Sequence, residues 1–312
     1  MNKIEEKRKK IEKINERLSL TEEDNQYIKD KMKEYYGNYD SNINKYSYPF
    51  AYYKLKSKIN RISELNKTPV NGPRPVVKFK QDIYKNELRK IITFLLLHLE
   101  DFSDFESIML FVAKRRKIIE FLKLEIANHD FFGKFRVNSK HSYNLTSQFQ
   151  DSKASHLIAN LTNKNQIKYN NINLTKIKLF KINRHNNGKW IWNHTNGKLI
   201  LDLLQEMNEI YEQFKISLSN KNNKKVSKNL LSKLYWLYIQ TCPFKRGSAS
   251  IGEIVFSALL QKHFDCNFKL FREPFSPLLI PDIHALTYPL KLFQSIFWDQ
   301  FVSCENKNEI NI

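Results

Sequence analysis

The sequence predicts a mainly α protein, a helical bundle that carries one small β-hairpin. Three observations predict it. Apolar residues recur at three- and four-residue spacing through most of the chain. Glycine (7) and proline (9) are too scarce for a turn-rich all-β fold. One segment, 175–200, instead alternates polar and apolar residues around an Asn-Gly-containing turn. Hydrophobic residues make up 41% of 312, enough to bury a core. Two regions are expected, an N-terminal helical region over 1–128 and a helical core with the hairpin over 129–312.

Residues 2–35 read as charged helix with a thin apolar stripe, Ile4, Ile11, Ile14 and Leu18, so one edge should lie on the body. The NGPRP stretch at 71–75 marks a turn, and VVKF at 76–79 reads as a short strand. Core helices follow at 81–99 (Leu88, Ile91, Ile92, Leu95) and 104–127 (Ile108, Phe111, Val112, Ile118, Ile119, Leu122), with Ser103 or Asp104 as the cap between them. The basic run Lys114 to Lys117 reads as a solvated face; a phosphate or lipid contact is the alternative. Residues 129–173 are polar and Asn-rich, with one short helix around SKASHLIANL. The hairpin pairs TKIKLFKI with KWIWNHTNGKLI and sets Trp190 and Trp192 on one face. Next come a helix at 200–217, a loop at 219–229, and helices at 229–240 and 251–264 joined by TCPFKRGSAS. A Pro-punctuated connection then leads to one last helix over 284–302, with Phe293, Phe297, Trp298 and Phe301 turned inward, and to a fraying tail.

The formal net charge is +20, from 52 Lys plus Arg against 32 Asp plus Glu. Such a field attracts nucleic acid, anionic membrane or acidic proteins. The same chain is crowded with Lys, Asn and Ile, so compositional drift explains the charge as well as a functional surface does. A binding face would need the stretches 2–35, 114–117 and 221–228 to converge. The first eighteen residues hold no apolar run of signal-peptide type, and the longest apolar run, 91–99, is too short to cross a bilayer. A cytoplasmic protein is expected. Cys242, Cys266 and Cys304 are odd in number and irregularly spaced, which argues against a disulfide framework and against a zinc site. His185 and His194 have no Cys or carboxylate pair beside them and are expected at the surface.

The turn at 241–250 carries the most chemistry. A short turn that runs straight into a helix gathers backbone N–H groups that suit an anion. Arg246, beside Gly247 and Ser248, has the planar fork that clamps a phosphate; a salt bridge to a core carboxylate is the rival role. Ser250 and Glu253 fit a capping box. Cys242 is the one nucleophile here, and its general base would have to be His263 or His284; a buried apolar cysteine is the other reading.

The order hairpin, helix, loop, helix, Pro-Phe turn, helix resembles the core of the Fic domain, within the Fic/Doc/AvrB-like superfamily. That family's signature is His-Pro-Phe-x-Asp/Glu-Gly-Asn-Gly/Lys-Arg between two helices, with a β-hairpin flap ahead of it. Here the stretch is Cys242-Pro243-Phe244-Lys245-Arg246-Gly247-Ser248-Ala249-Ser250. Pro, Phe and Gly match in register, and FFGKFR at 131–136 resembles the family's upstream Gly-x-x-Arg. The family's base His is Cys242, its acidic magnesium ligand is Arg246, and its phosphate-holding Asn and Arg are Ser248 and Ser250. The resemblance therefore implies a Fic-like helical core over 129–312 that holds a nucleotide or other phosphate ligand through Arg246, Gly247, Ser248 and Ser250. The motif supplies no metal ligand, and standard AMP transfer lacks its base and its metal. An effector that acts on a host protein, as a diverged transferase or a pseudoenzyme, follows from the resemblance, secreted without a cleavable signal peptide. A basic interaction protein for nucleic acid or anionic membrane stays open beside it.

Overall fold

The computed structural model describes residues 3–36, 75–122, 133–136, 142–144, 167–181, 188–220, 223–269 and 280–304. The protein is mainly helical, as the periodicity predicts. The central pair is α5 (Ile200–Leu218) and α6 (Lys224–Thr241). The C-terminal half of α6 is buried all round, from Leu234 through Thr241, and α7 (Ser248–Phe264) buries Ile251, Ile254, Val255, Phe256, Ala258, Leu259 and Leu260. Helices apolar on every side belong at the centre of a bundle. Around them pack α1 (Lys3–Leu18), α3 (Pro75–His98) and α4 (Phe105–Leu122). One apolar cluster takes residues from Ile14 to Val302, so both expected regions share it; the boundary between them falls outside the described residues.

The N-terminal stretch is two helices. Thr21 breaks it: its hydroxyl caps the Asp24 N–H (3.2 Å) and its own N–H reaches Asp24 Oδ2 (2.9 Å), which starts α2 (Glu22–Tyr36). Ile14 and Leu18 are buried as the stripe requires. Tyr27 and Tyr35 both donate to Glu87 on α3, at 2.6 and 2.8 Å. The 76–79 stretch is no strand: α3 starts at Pro75, a position where a missing N–H costs nothing. Asp104 is the cap of α4, accepting from the Ser107 N–H at 2.7 Å. The 114–117 run is no solvated face. Lys114 pairs with Asp24 at 2.6 Å and Arg116 with Glu120 at 2.6 Å, both largely buried.

The hairpin strands are β4 (Lys176–Lys181) and β5 (Gly188–Asn193), paired antiparallel from Lys176↔Asn193 to Lys181↔Gly188. A third strand, β1 (Ser142–Asn144), adds to β5 and comes from the segment read as loop. That segment also holds a two-residue ladder, β2 (Lys168–Tyr169) with β3 (Ile172–Asn173). Asn170 and Asn171 turn it at φ 46 and 64, the left-handed pair that a tight hairpin needs. The short helix expected around SKASHLIANL lies outside the described residues.

Three further corrections fall in the C-terminal half. Helix α6 begins at Lys224, inside the expected loop. The capping box fails: α7 begins at Ser248 with Gly247 as its cap residue, and the Ser250 hydroxyl donates to the Gly247 carbonyl at 3.1 Å. The expected last helix is split by Pro289 into α8 (Ile280–Thr287) and α9 (Leu290–Ile296), with a π-turn at Phe297–Phe301. Phe293, Phe297 and Phe301 are buried as expected. Beyond the π-turn, β7 (Val302–Cys304) pairs with β6 (Cys266–Phe268), and Cys266 and Cys304, directly opposite each other, form a disulfide. Spacing along the chain carries no information about cysteines that meet across a ladder.

Candidate functional site: the turn between α6 and α7

Helix α6 stops at Cys242, which takes the left-handed conformation (φ 47) while its N–H closes on the Tyr238 carbonyl at 3.0 Å. Such an end leaves carbonyls that need donors. Here three separate parts of the chain supply them. Thr175 and Thr195, at the foot of the β4–β5 hairpin, donate their hydroxyls to the Gln240 carbonyl at 3.2 and 2.6 Å. Arg136 donates Nη2 to the Thr241 carbonyl (2.8 Å) and Nε to the Cys242 carbonyl (2.9 Å). The Gln240 side chain accepts from the Thr175 N–H and donates to the Ala285 carbonyl, tying the hairpin to α8.

The segment 133–136 runs along the turn like an extra strand. Lys245 N–H bonds the Lys134 carbonyl at 2.8 Å, Arg136 N–H the Pro243 carbonyl at 2.8 Å, and Gly133 N–H the Arg246 carbonyl at 3.3 Å. Phe135 and Phe244 meet edge to face, ring centres 5.8 Å apart, and both are buried. Gly133 sits at φ +66 with the Ala113 carbonyl of α4 3.1 Å from where a Cβ would stand, so a side chain there meets both backbone strain and a wall. Arg136 is fully buried. Burial pulls its guanidinium below the usual value, and the Cys242 thiol opposes that shift.

Past Phe244 the turn closes on itself. The Ser248 hydroxyl accepts from the Phe244 N–H (3.0 Å) and donates to the Phe244 carbonyl (3.1 Å), so this side chain is committed to shaping the turn. Gly247 enters α7 at φ 90, and Ile251 N–H makes the helix's first bond, to the Gly247 carbonyl at 2.9 Å. The amides of Ser248, Ala249 and Ser250 are the ones that an α-helix does not use within its own ladder. Arg246 is exposed, and its carbonyl is held by Gly133. Tyr238 braces the arrangement from below. Its hydroxyl donates to the Ser248 carbonyl at 2.7 Å, and its ring leaves no room for a side chain at Gly252.

Burial pushes the Cys242 thiol up, with Arg136 and the Ser248 hydroxyl pulling it back only in part. A neutral thiol at neutral pH is a poor nucleophile. Its two expected bases stand with other partners. His263, at the far end of α7, lies edge-on to Phe214, and burial lowers it to about 4. His284 lies against Tyr288 and Phe301, both at 4.9 Å. His194 is half-buried rather than exposed: burial first, then the charge of Arg136, lower it to about 3, so it stands as a neutral imidazole within electrostatic reach of that arginine. His185 lies outside the described residues. Among the described residues no three His, Cys, Asp or Glu side chains gather as a metal site, and no helix is long and apolar enough to cross a membrane.

Arg136, Thr175, Thr195, Gln240 and His194 are the residues around this turn that motif spacing leaves out. Arg136 alone had a signal, the Gly133-x-x-Arg136 resemblance. No protein-family model matches the chain, and no curated protein matches its sequence.

Proposed function

We propose that this protein is a diverged Fic-like protein that holds a nucleotide-type or other phosphate ligand at the α6–α7 turn and acts as an effector on a host protein. One observation supports the reading above others. The three parts that carry the resemblance are the Gly-x-x-Arg segment, the hairpin and the Pro-Phe turn. They lie far apart in sequence and meet at the end of one helix, joined by hydrogen bonds to the carbonyls of Gln240, Thr241, Cys242 and Pro243.

In this reading the amides that open α7 meet the phosphate oxygens, favoured by the helix dipole, and the exposed Arg246 supplies the charge. Gly247 allows the left-handed entry, and Ser248 fixes the turn through its hydroxyl. Cys242 stands where the family keeps its base, and a neutral thiol there takes no proton from an attacking hydroxyl. Binding is therefore the primary activity, and any group transfer rests on positioning and electrostatics. The rival reading, a basic face for nucleic acid or anionic membrane, is weakened because Lys114 and Arg116 are already paired within the fold.

Calorimetric titration with nucleoside triphosphates and with inorganic pyrophosphate tests the proposal. Binding that weakens at least tenfold in Arg246→Ala supports it. No heat with any of these ligands overturns it, and equal affinity in the variant removes Arg246 from the site.

A further inference from the structure

We propose that the Cys266–Cys304 cross-link is a redox-operated clamp: oxidised, it holds Phe301–Cys304 on the bundle; reduced by a small thiol or dithiol, it lets that strand go while the helices stay in place.

The two sulfurs sit in unequal surroundings. Cys266 stands one residue past α7, after the Asp265 cap, and is 1% exposed, whereas Cys304 is exposed at the end of β7. An incoming thiolate therefore attacks Cys304 Sγ. The S–S bond breaks, and its electron pair leaves on Cys266 Sγ, which takes a proton from solvent. A second thiol then attacks the reductant's sulfur in the mixed disulfide, releasing the Cys304 thiol. Two electrons pass from the reductant, which ends as its own disulfide, to the protein.

The elements around the cross-link differ in how they are held. Helix α8 is tied to α6 by Tyr235 donating to the buried Asp282, by Gln240 Nε2 to the Ala285 carbonyl (2.7 Å) and by Trp236 Nε1 to the Tyr288 carbonyl (2.9 Å). The π-turn is tied by Trp298 Nε1 to the Lys228 carbonyl at 3.0 Å. None of these depends on the disulfide. Strand β7 has three ladder pairs with β6 and, just before it, the Lys269 N–H to Phe301 carbonyl bond at 2.8 Å. A two-stranded ladder of that length is marginal by itself, so without the cross-link β7 rests on the packing of Phe301 and Val302 into the apolar cluster. Its departure uncovers Phe268, Phe301 and Val302, all buried when the clamp is closed, and opens one side of the His284 ring. The reduced protein thus presents an apolar strip that the oxidised protein covers.

The test uses the full chain in glutathione buffers of graded poise. Peptide mapping reads the 266–304 link, and hydrogen exchange is compared for 266–269 and 301–304 against 231–241. NMR titration of His284 gives a second readout, since burial holds it below the ordinary histidine value in the closed form. Reduction is expected to speed exchange in the two strands at least tenfold, leave 231–241 unchanged and move the His284 midpoint up. Cys304→Ser should behave as the reduced protein in every buffer. A pair that never links under glutathione disulfide overturns the proposal. So does a link whose reduction changes exchange nowhere, or one whose reduction speeds exchange equally throughout, which would make it a structural staple.

Discussion

Replacing Arg136 with methionine asks whether one buried cation holds the turn in shape. The guanidinium makes two charged hydrogen bonds, to the carbonyls of Thr241 (2.8 Å) and Cys242 (2.9 Å), at the negative end of the α6 dipole. Bonds to a charged group each contribute roughly 1.5–3 kcal/mol net, and a carbonyl left buried without a donor costs about 1–3. Against this stands the desolvation of a fully buried guanidinium, several kcal/mol, which methionine does not incur. The carbonyls remain buried in the variant, so the orphaned acceptors dominate, and a net loss of about 3 kcal/mol is expected. For 312 residues that is a fall in melting temperature of about 4–5 °C. Arg136→Lys keeps the charge without the fork and should fall between the two. Urea unfolding gives the magnitude; hydrogen exchange at 242–248 shows where it acts. A methionine variant as stable as the parent, with unchanged exchange in the turn, would refute the argument, since the guanidinium would then be offsetting its own burial and nothing else.

Gly252→Ala puts a Cβ 2.5 Å from Tyr238 Cε1, and the ring can move only by loosening its bond to the Ser248 carbonyl; roughly 1–3 kcal/mol of destabilisation and weaker nucleotide binding are expected by unfolding and calorimetry. Tyr235→Phe removes the donor to Asp282 and should lower stability by about 1–3 kcal/mol, an effect that Tyr235→Phe combined with Asp282→Asn should partly restore. Stability should be flat near pH 7–8 and fall below about 6.5, because His194 (about 3) and His263 (about 4) are neutral in the fold but protonate in the unfolded chain. The slope is up to about 1.4 kcal/mol per pH unit for each. The lowered carboxyls of Glu87 and Asp104 add their loss only below the ordinary carboxylate range, so urea midpoints that hold steady from pH 7 to 5 would contradict the histidine account.

The bundle was legible because burial writes itself into spacing. Ile14 and Leu18 recur at a helical interval because α1 turns one edge inward, and α7 reads as apolar almost all round because it lies at the centre. Where the reading failed, a single residue or a distant partner decided. Thr21 and Pro289 each divide a stretch whose apolar period runs on without interruption. The Lys114 run looks solvated until α2 brings Asp24 against it, and the three residues of β1 are placed by pairing with β5, a partner that lies far along the chain.

The turn shows the same limit in sharper form. Pro243, Phe244 and Gly247 carry local conformational demands, so a motif finds them. The donors that satisfy the end of α6 come from positions 136, 175 and 195, and any residue with a suitable hydrogen could have served at each. The turn's chemistry follows from that sharing. Ser248 is the residue that the proposed Fic-like reading sets against a phosphate, yet its hydroxyl is bonded to Phe244 on both sides, so whatever it offers an anion comes from its backbone. A site built from amides keeps its capacity for an anion when its side chains change, whereas one built on a histidine base loses its chemistry with a single substitution. On the proposed reading, this asymmetry favours binding of an anion at the turn over transfer by a histidine base. It also sets the discriminating experiment: Ser248→Ala should destabilise the turn, and affinity measured on the fraction that remains folded should stay within about twofold of the parent, whereas a collapse of affinity in fully folded protein would return the hydroxyl to the ligand.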